Sequence, residues 1–171
     1  NAVSAAASYV SDRLWYSTPD LGPIARGLRT ESRYMPNPVS PEFFGTPSEE
    51  SNPPEVLFAV PLARMKGARI GIEAMRILAN ERPEIQMAAF DFGPGADEAD
   101  GLRMMIPSSV KREPWRPHRE MPLRFSTASI IVGQLGGILG ITELEAIASG
   151  KPLVANLPTR LTETSSYYQD E

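Results

Sequence analysis

Glycines delivered onto the start of a helix, with a carboxylate one turn further in, are the residues of this chain best suited to chemistry. The run Gly133-Gln134-Leu135-Gly136-Gly137-Ile138-Leu139-Gly140 leads into Ile141-Thr142-Glu143-Leu144-Glu145. Glycine lets the backbone approach a ligand closely, and the unpaired N–H groups at a helix start favour an anion. A carboxylate beside such a site suits a nucleotide diphosphate, whose phosphates take donors and whose ribose hydroxyls take an acceptor. Thr142 and Glu145 also match a capping box, in which Glu145 would reach back to the helix start. Spacing alone leaves both roles open to Glu145.

Two further loops carry groups of the right type. Arg64-Met65-Lys66-Gly67 offers two cations at a helix entrance, for a phosphate or simply for solvent. Glu113-Pro114-Trp115-Arg116-Pro117-His118 offers an indole that could stack on a base or pack on the protein. His118, between Pro117 and Arg119, reads as a surface loop residue, and Gly150 before Lys151-Pro152 as a helix stop.

Composition narrows the alternatives. There is no cysteine and a single histidine among 171 residues, so disulfides, thiolate metal sites and multi-histidine metal sites are excluded within the chain. A cytoplasmic, reducing setting is the expectation. The formal charge of −4 argues against general nucleic-acid affinity, although residues 103–124 are locally basic. No apolar run reaches the roughly 20 residues of a membrane span. The chain opens on Asn1 rather than methionine, and a fragment of a longer protein is expected.

The elements that must position these loops alternate in type. Proline-rich stretches at 36–41 and 46–54 read as a linker, preceded by a short helix running from Ala5 into a strand at Tyr16 and by a helix opening at Thr18-Pro19-Asp20. Val56–Val60 reads as a buried strand, and Gly67–Asn80 as a helix packing Ile70, Ala74, Ile77 and Leu78. Strands follow at Ile85–Phe92, stopped by Gly93-Pro94-Gly95, and at Val110. A helix at Met121–Ser126 and a strand at Ile130–Val132 come next, then a helix at Thr142–Ser149 and a strand at Leu153–Ala155. Such alternation implies an α/β fold: a Rossmann-like, open, mostly parallel sheet with helices on both faces. Its ligands belong outside the carboxyl ends of the strands, where all three loops lie.

The run Glu145-Ala146-Ile147-Ala148-Ser149-Gly150-Lys151-Pro152-Leu153-Val154 closely resembles the donor-site signature of group 1 glycosyltransferases of GT-B architecture. The resemblance continues in order. Lys66-Gly67 is similar to their phosphate-binding lysine, Asp91-Phe92-Gly93-Pro94-Gly95 to the turn after their second strand, and 121–130 to the segment before the signature strand. Residues 17–21 and 35–40 look like the exit from the family's N-terminal domain and its interdomain linker. The implied organisation is 1–53 as the end of that domain with the linker, and 54–171 as the nucleotide-sugar donor domain, truncated at its C-terminus.

The resemblance implies transfer of a sugar from a nucleotide-diphospho-sugar to an acceptor hydroxyl on a sugar, lipid or protein, with retention and without metal or other cofactor. Lys66 and Arg64 would neutralise the diphosphate, although the family's arginine usually lies where this chain has Pro61. The backbone around Leu139, Gly140 and Ile141 would contact phosphate, Glu145 would accept ribose hydroxyls, and Glu113 to Trp115 would border the base. The family usually adds a glutamate at the position of Gly137, contacting the donor hexose; Gln134 and Glu143 are the candidate substitutes. The catalytic groups and acceptor site would belong mainly to an N-terminal domain, so this chain alone is expected to be inactive. Its setting would be cytoplasmic or peripheral to the inner membrane face. The alternatives are a nucleotide-sugar epimerase and a non-catalytic nucleotide-binding or interaction module.

Overall fold

In the computed structural model, residues 13–17, 21–45, 51–92, 96–137 and 139–157 are described, 96–98 by their backbone alone. The expected helix from Ala5, the 18–20 opening of the helix after it and the Gly93-Pro94-Gly95 stop lie outside them. The described residues fall into two compact units, one ending at Pro38 and the other spanning Val39–Leu157.

The first unit is a short β-α-β arrangement. Strands β1 (Trp15–Tyr16) and β2 (Arg33–Tyr34) pair in parallel across helix α1 (Gly22–Leu28). Tyr16 and Tyr34 stack obliquely with ring centroids 5.5 Å apart, and Arg26 lies over the Tyr16 ring.

The second unit is built on strands β3 (Glu55–Phe58), β4 (Gln86–Phe90), β5 (Lys111–Glu113), β6 (Ile130–Val132) and β7 (Leu153–Val154). All pairings are parallel, in the order β5-β4-β3-β6-β7. The chain moves outward from β3 to β5, then returns to the other side of β3 with β6. The switch point therefore falls between β3 and β6, where a parallel sheet opens a crevice at its carboxyl end. The glycine turn after β6 and the cationic turn after β3 flank that crevice.

The strands alternate sides, as a period of two requires. Leu57, Ala59, Ala88, Phe90 and Ile131 join Phe43, Met121, Phe125, Ala128 and Ala146 on one face. Val56, Phe58, Met87, Ala89 and Val132 join Met75 and Val110 on the other. Burial on both faces is what the continuous apolar strand runs required. Phe43 is fully buried. It sits in a 3₁₀ turn, Pro41–Phe43, between the two proline-rich stretches read from sequence as linker.

Helix α2 (Ala68–Glu81) lies where expected but faces differently. Ala68, Gly71, Ile72 and Met75 are buried, whereas Ile70, Ala74 and Ile77 are exposed and Leu78 is half-buried. Small residues decide the contact. A Cβ at Gly71 would already touch Phe58 Cδ1 at 3.8 Å and Leu135 Cδ1 at 3.9 Å, so the helix lies close on the sheet along this face. Helix α3 (Ala96–Arg103) has no counterpart in the sequence reading. Its Ala99 and Leu102 bury against Leu62, Ala68 and Ile72, bracing the turn after β3. Helices α4 (Met121–Thr127) and α5 (Ile141–Ala148) complete the unit, and β5 begins one residue after Val110. Among the described residues no helix is long and apolar enough to cross a membrane.

The basic run between 103 and 124 is largely absorbed by ion pairs. Arg103 binds Asp91 and Asp100, and Lys111, Arg116 and Arg124 all reach Glu113. Arg124 also binds Glu55 Oε1 at 2.7 Å. Burial pushes the Glu113 carboxyl up, but hydrogen bonds from Arg124 and Lys111 and their charges outweigh it and hold it below the ordinary value of 4.5. A carboxylate depressed on folding adds stability above its unfolded pKa and loses it as pH falls through the folded one. The stability gap between wild type and Glu113→Gln, followed by urea denaturation, is therefore expected to be full at neutral pH and to shrink below about pH 4.5. A gap constant down to pH 3 would remove Glu113 from the acid response.

Candidate functional site

The glycine turn is held from beneath by Glu143, which is fully buried. Its Oε1 accepts from the Gln134 N–H and its Oε2 from the Gly140 N–H, both at 2.7 Å. The glycines make room for this carboxylate. A Cβ at Gly133 would lie 2.5 Å from Glu143 Oε1, and one at Gly140 would lie 2.6 Å from Gln134 Nε2. From the far side, Asn156 donates its backbone N–H to Gln134 O at 3.0 Å and its Nδ2 to Leu135 O at 3.1 Å.

These bonds correct the capping box read from Thr142 and Glu145. Helix α5 starts one residue earlier, at Ile141, with Gly140 as its N-cap, so the acidic residue reaching back is Glu143. Glu143 is thereby committed to the backbone of the turn and is not available as a sugar contact. Glu145 is released from capping and faces elsewhere. Gly137 has φ of 85°, in the left-handed region where glycine is favoured.

The cationic turn docks directly on the glycine turn. Arg64–Lys66 forms a 3₁₀ turn closed by Gly67 at φ 77°. The Leu135 N–H donates to Lys66 O at 3.1 Å. A Cβ at Gly67 would lie 2.5 Å from the Leu135 carbonyl carbon, and one at Gly136 would run into the Met65 carbonyl oxygen. The two turns are in backbone-to-backbone contact, so Lys66 is carried to the glycine turn by main-chain geometry.

The remaining predicted residues take distinct positions. Arg64 and Ile141 are exposed, Lys66 and Gly140 half-buried, and Leu139 and Gln134 buried. Gln134 Oε1 is buried without a hydrogen-bond partner among the described residues. Trp115 packs on Phe92 at 4.3 Å and edge-on to Phe90 at 5.8 Å, yet remains 50% exposed. Its packing role is thus established, with half its surface still open. Glu113, expected to border the base, instead closes the ion cluster with Arg124.

His118 is exposed, as its sequence reading has it, but makes a contact which that reading does not contain. It opens a 3₁₀ turn, His118–Glu120, and its Nε2 lies 2.6 Å from Glu145 Oε1. Its ring leans on Phe43 at 5.4 Å. The loop carrying Trp115 is thereby tied to the helix carrying Glu145. Neither this pair nor the Asn156 brace has a local signal, because each partner comes from a distant element.

Chemically, the site joins backbone donors, a docked turn that carries a lysine, a buried carboxylate and a half-exposed indole at the carboxyl end of the sheet. No protein-family profile and no curated protein matches the sequence. Solved structures do match its fold. The pneumococcal O-GlcNAc transferase GtfA, in complex with UDP and GlcNAc, is 19% identical over 86% of this chain and 30% of its own, with a TM-score of 0.64. Sucrose-phosphate synthase from Thermosynechococcus elongatus is 19% identical over 90% of this chain and 43% of its own, with a TM-score of 0.68. Anabaena HepE, in complex with UDP and glucose, is 17% identical over 90% of this chain and 47% of its own, with a TM-score of 0.67. The chain spans less than half the length of each of these proteins. Its five-stranded parallel sheet with flanking helices is the Rossmann-like fold of the GT-B glycosyltransferases.

Proposed function

We propose that this chain is the donor-binding part of a retaining glycosyltransferase that takes a nucleotide-diphospho-sugar and passes the sugar to an acceptor hydroxyl. The observation that carries the reading is the docking of the Lys66 turn onto the glycine turn at the switch point, with buried Glu145 one helical turn away. In this reading the start of α5 and Lys66 bind the diphosphate, Arg64 adds charge from the exposed side, and Glu145 accepts from ribose. Trp115 flanks the base with its open surface. Charge fixed before the reaction stabilises the departing diphosphate without reorganisation, and that requires no metal. The groups facing the anomeric carbon come from an N-terminal domain, so the chain alone binds nucleotide and turns nothing over.

Hexose recognition takes a different form from the family pattern. Gly137 offers no side chain and Glu143 is committed to the turn, which leaves Gln134 Oε1 as the candidate acceptor for a sugar hydroxyl. The same substitution favours a second reading, a nucleotide-binding module without transfer. Sugar transfer by a longer protein containing this chain separates the two.

Titration calorimetry with UDP, GDP and ADP tests the site. One nucleotide is expected to bind, and Lys66→Ala and Glu145→Ala are each expected to weaken it by about tenfold, the scale of a lost hydrogen bond to a charged group. Binding indifferent to both substitutions removes the proposed site.

A further inference from the structure

Glu145 is a charged group in an unusual place. Its side chain is only 4% exposed, whereas the His118 side chain in contact with it is 57% exposed. A polar group this deep needs hydrogen-bond partners, and it does not receive the helix-start amide taken by Glu143. His118 supplies a donor. A carboxylate oxygen accepts, so the 2.6 Å contact with Oε1 pairs it with the His118 tautomer that carries its proton on Nε2. The ring is in turn seated by Phe43, which is fully buried among Phe125, Met121 and Ala146. Pro117 immediately before it, extended at ψ 143°, and the 3₁₀ turn after it fix the backbone from which the ring projects.

We infer that His118 is the positioning residue of the nucleotide site, holding Glu145 oriented so that the carboxylate accepts from a ribose hydroxyl. The inference rests on the proposed reading of Glu145 as the ribose acceptor. It assigns a function to the chain's one histidine and gives Phe43 a part in the site through the ring it supports. Without the imidazole the buried carboxylate loses the partner at 2.6 Å that fixes its direction, and its oxygens are no longer held for the ribose. The loss therefore falls on nucleotides that carry ribose hydroxyls and spares those that do not.

The test is calorimetric titration of wild type, His118→Ala and His118→Gln with UDP, GDP and ADP and with their 2′,3′-dideoxy counterparts. His118→Ala is expected to weaken the ribonucleotide about tenfold and to leave the dideoxy nucleotide unchanged. His118→Gln, which keeps a side-chain N–H, is expected to recover most of the loss. Ribonucleotide binding by His118→Ala equal to or tighter than wild type overturns the inference, because the ring would then be only a cover over Glu145. An equal loss for both nucleotide types overturns it as well, because the role would be structural. A ligand-free measurement separates this inference from the reading beneath it. With one histidine in the chain, its imidazole ¹⁵N resonances need no assignment. If Glu145→Ala leaves them in place, the pair is refuted while nucleotide binding stands. If Glu145→Ala binds the ribonucleotide like wild type, the ribose reading itself fails.

Discussion

Arg124→Ala is expected to destabilise the protein by about 3–5 kcal/mol, the cost of removing one partner from a buried ion pair. Arg124 is 6% exposed and holds two carboxylates, Glu113 Oε2 at 2.8 Å and Glu55 Oε1 at 2.7 Å, themselves 3% and 13% exposed. Its Nη1 also donates to Thr127 Oγ1 at 3.1 Å. The cluster ties α4 to the edge strand β5 and to the central strand β3, so its loss loosens the loop that carries Trp115 and His118. Lys111 and Arg116 still reach Glu113, but both are far more exposed and replace little of what Arg124 supplies. Urea denaturation gives the magnitude. A double substitution, Arg124→Met with Glu113→Gln, is expected to lose less than the sum of the single changes, because it leaves fewer buried charges unpaired. Strict additivity, or a loss below about 1 kcal/mol for Arg124→Ala, would assign this cluster to the inert class of surface pairs.

The second large effect belongs to the docked turns. Gly136→Ala drives a methyl into the Met65 carbonyl oxygen and to within 3.1 Å of the Lys66 carbonyl carbon. Both obstacles are backbone, so no rotamer relieves the clash. Gly67→Ala adds a left-handed residue at φ 77° to a Cβ 2.5 Å from the Leu135 carbonyl carbon. Each substitution is expected to cost about 1–3 kcal/mol, the range for overpacking a close-fitted contact. Each is also expected to abolish the proposed nucleotide binding, since parting the turns breaks the Leu135–Lys66 bond and moves the Lys66 turn from the glycines. Gly101→Ala in α3 is the control. A Cβ there meets nothing within 4 Å, and alanine in a helix is worth up to about 1 kcal/mol over glycine. If Gly136→Ala behaves like this control in thermal unfolding, the turns are not in contact in solution.

Where the sequence was informative, the signal was local and periodic. The apolar triplet Ile130–Val132 and the glycines after it define a strand and a tight turn by composition alone, and the structure has them there. Strand–helix alternation likewise contained the parallel sheet. The structure differs where two residues of register change the chemistry. Placing the N-cap of α5 at Gly140 instead of Thr142 moves the capping role from Glu145 to Glu143 and turns a proposed sugar contact into a support for the turn. The buried face of α2 differs from the stripe of Ile70, Ala74, Ile77 and Leu78 that periodicity predicts, because close helix–sheet contact selects small residues such as Ala68 and Gly71. The His118–Glu145 pair was beyond reach. It joins the loop after β5 to the helix after β6, and chain composition near either residue is indifferent to that meeting.

The contact between Gly136 and the Met65 carbonyl sets a limit on redesign. Neither turn can be recoded, lengthened or exchanged with that of a relative by itself, because the backbone of one is the mould for the other. A library that varies residues 133–140 on a fixed 63–67 segment should return glycine at 136 in every folded member. Specificity in such a scaffold is to be altered by moving the two segments together as one cassette.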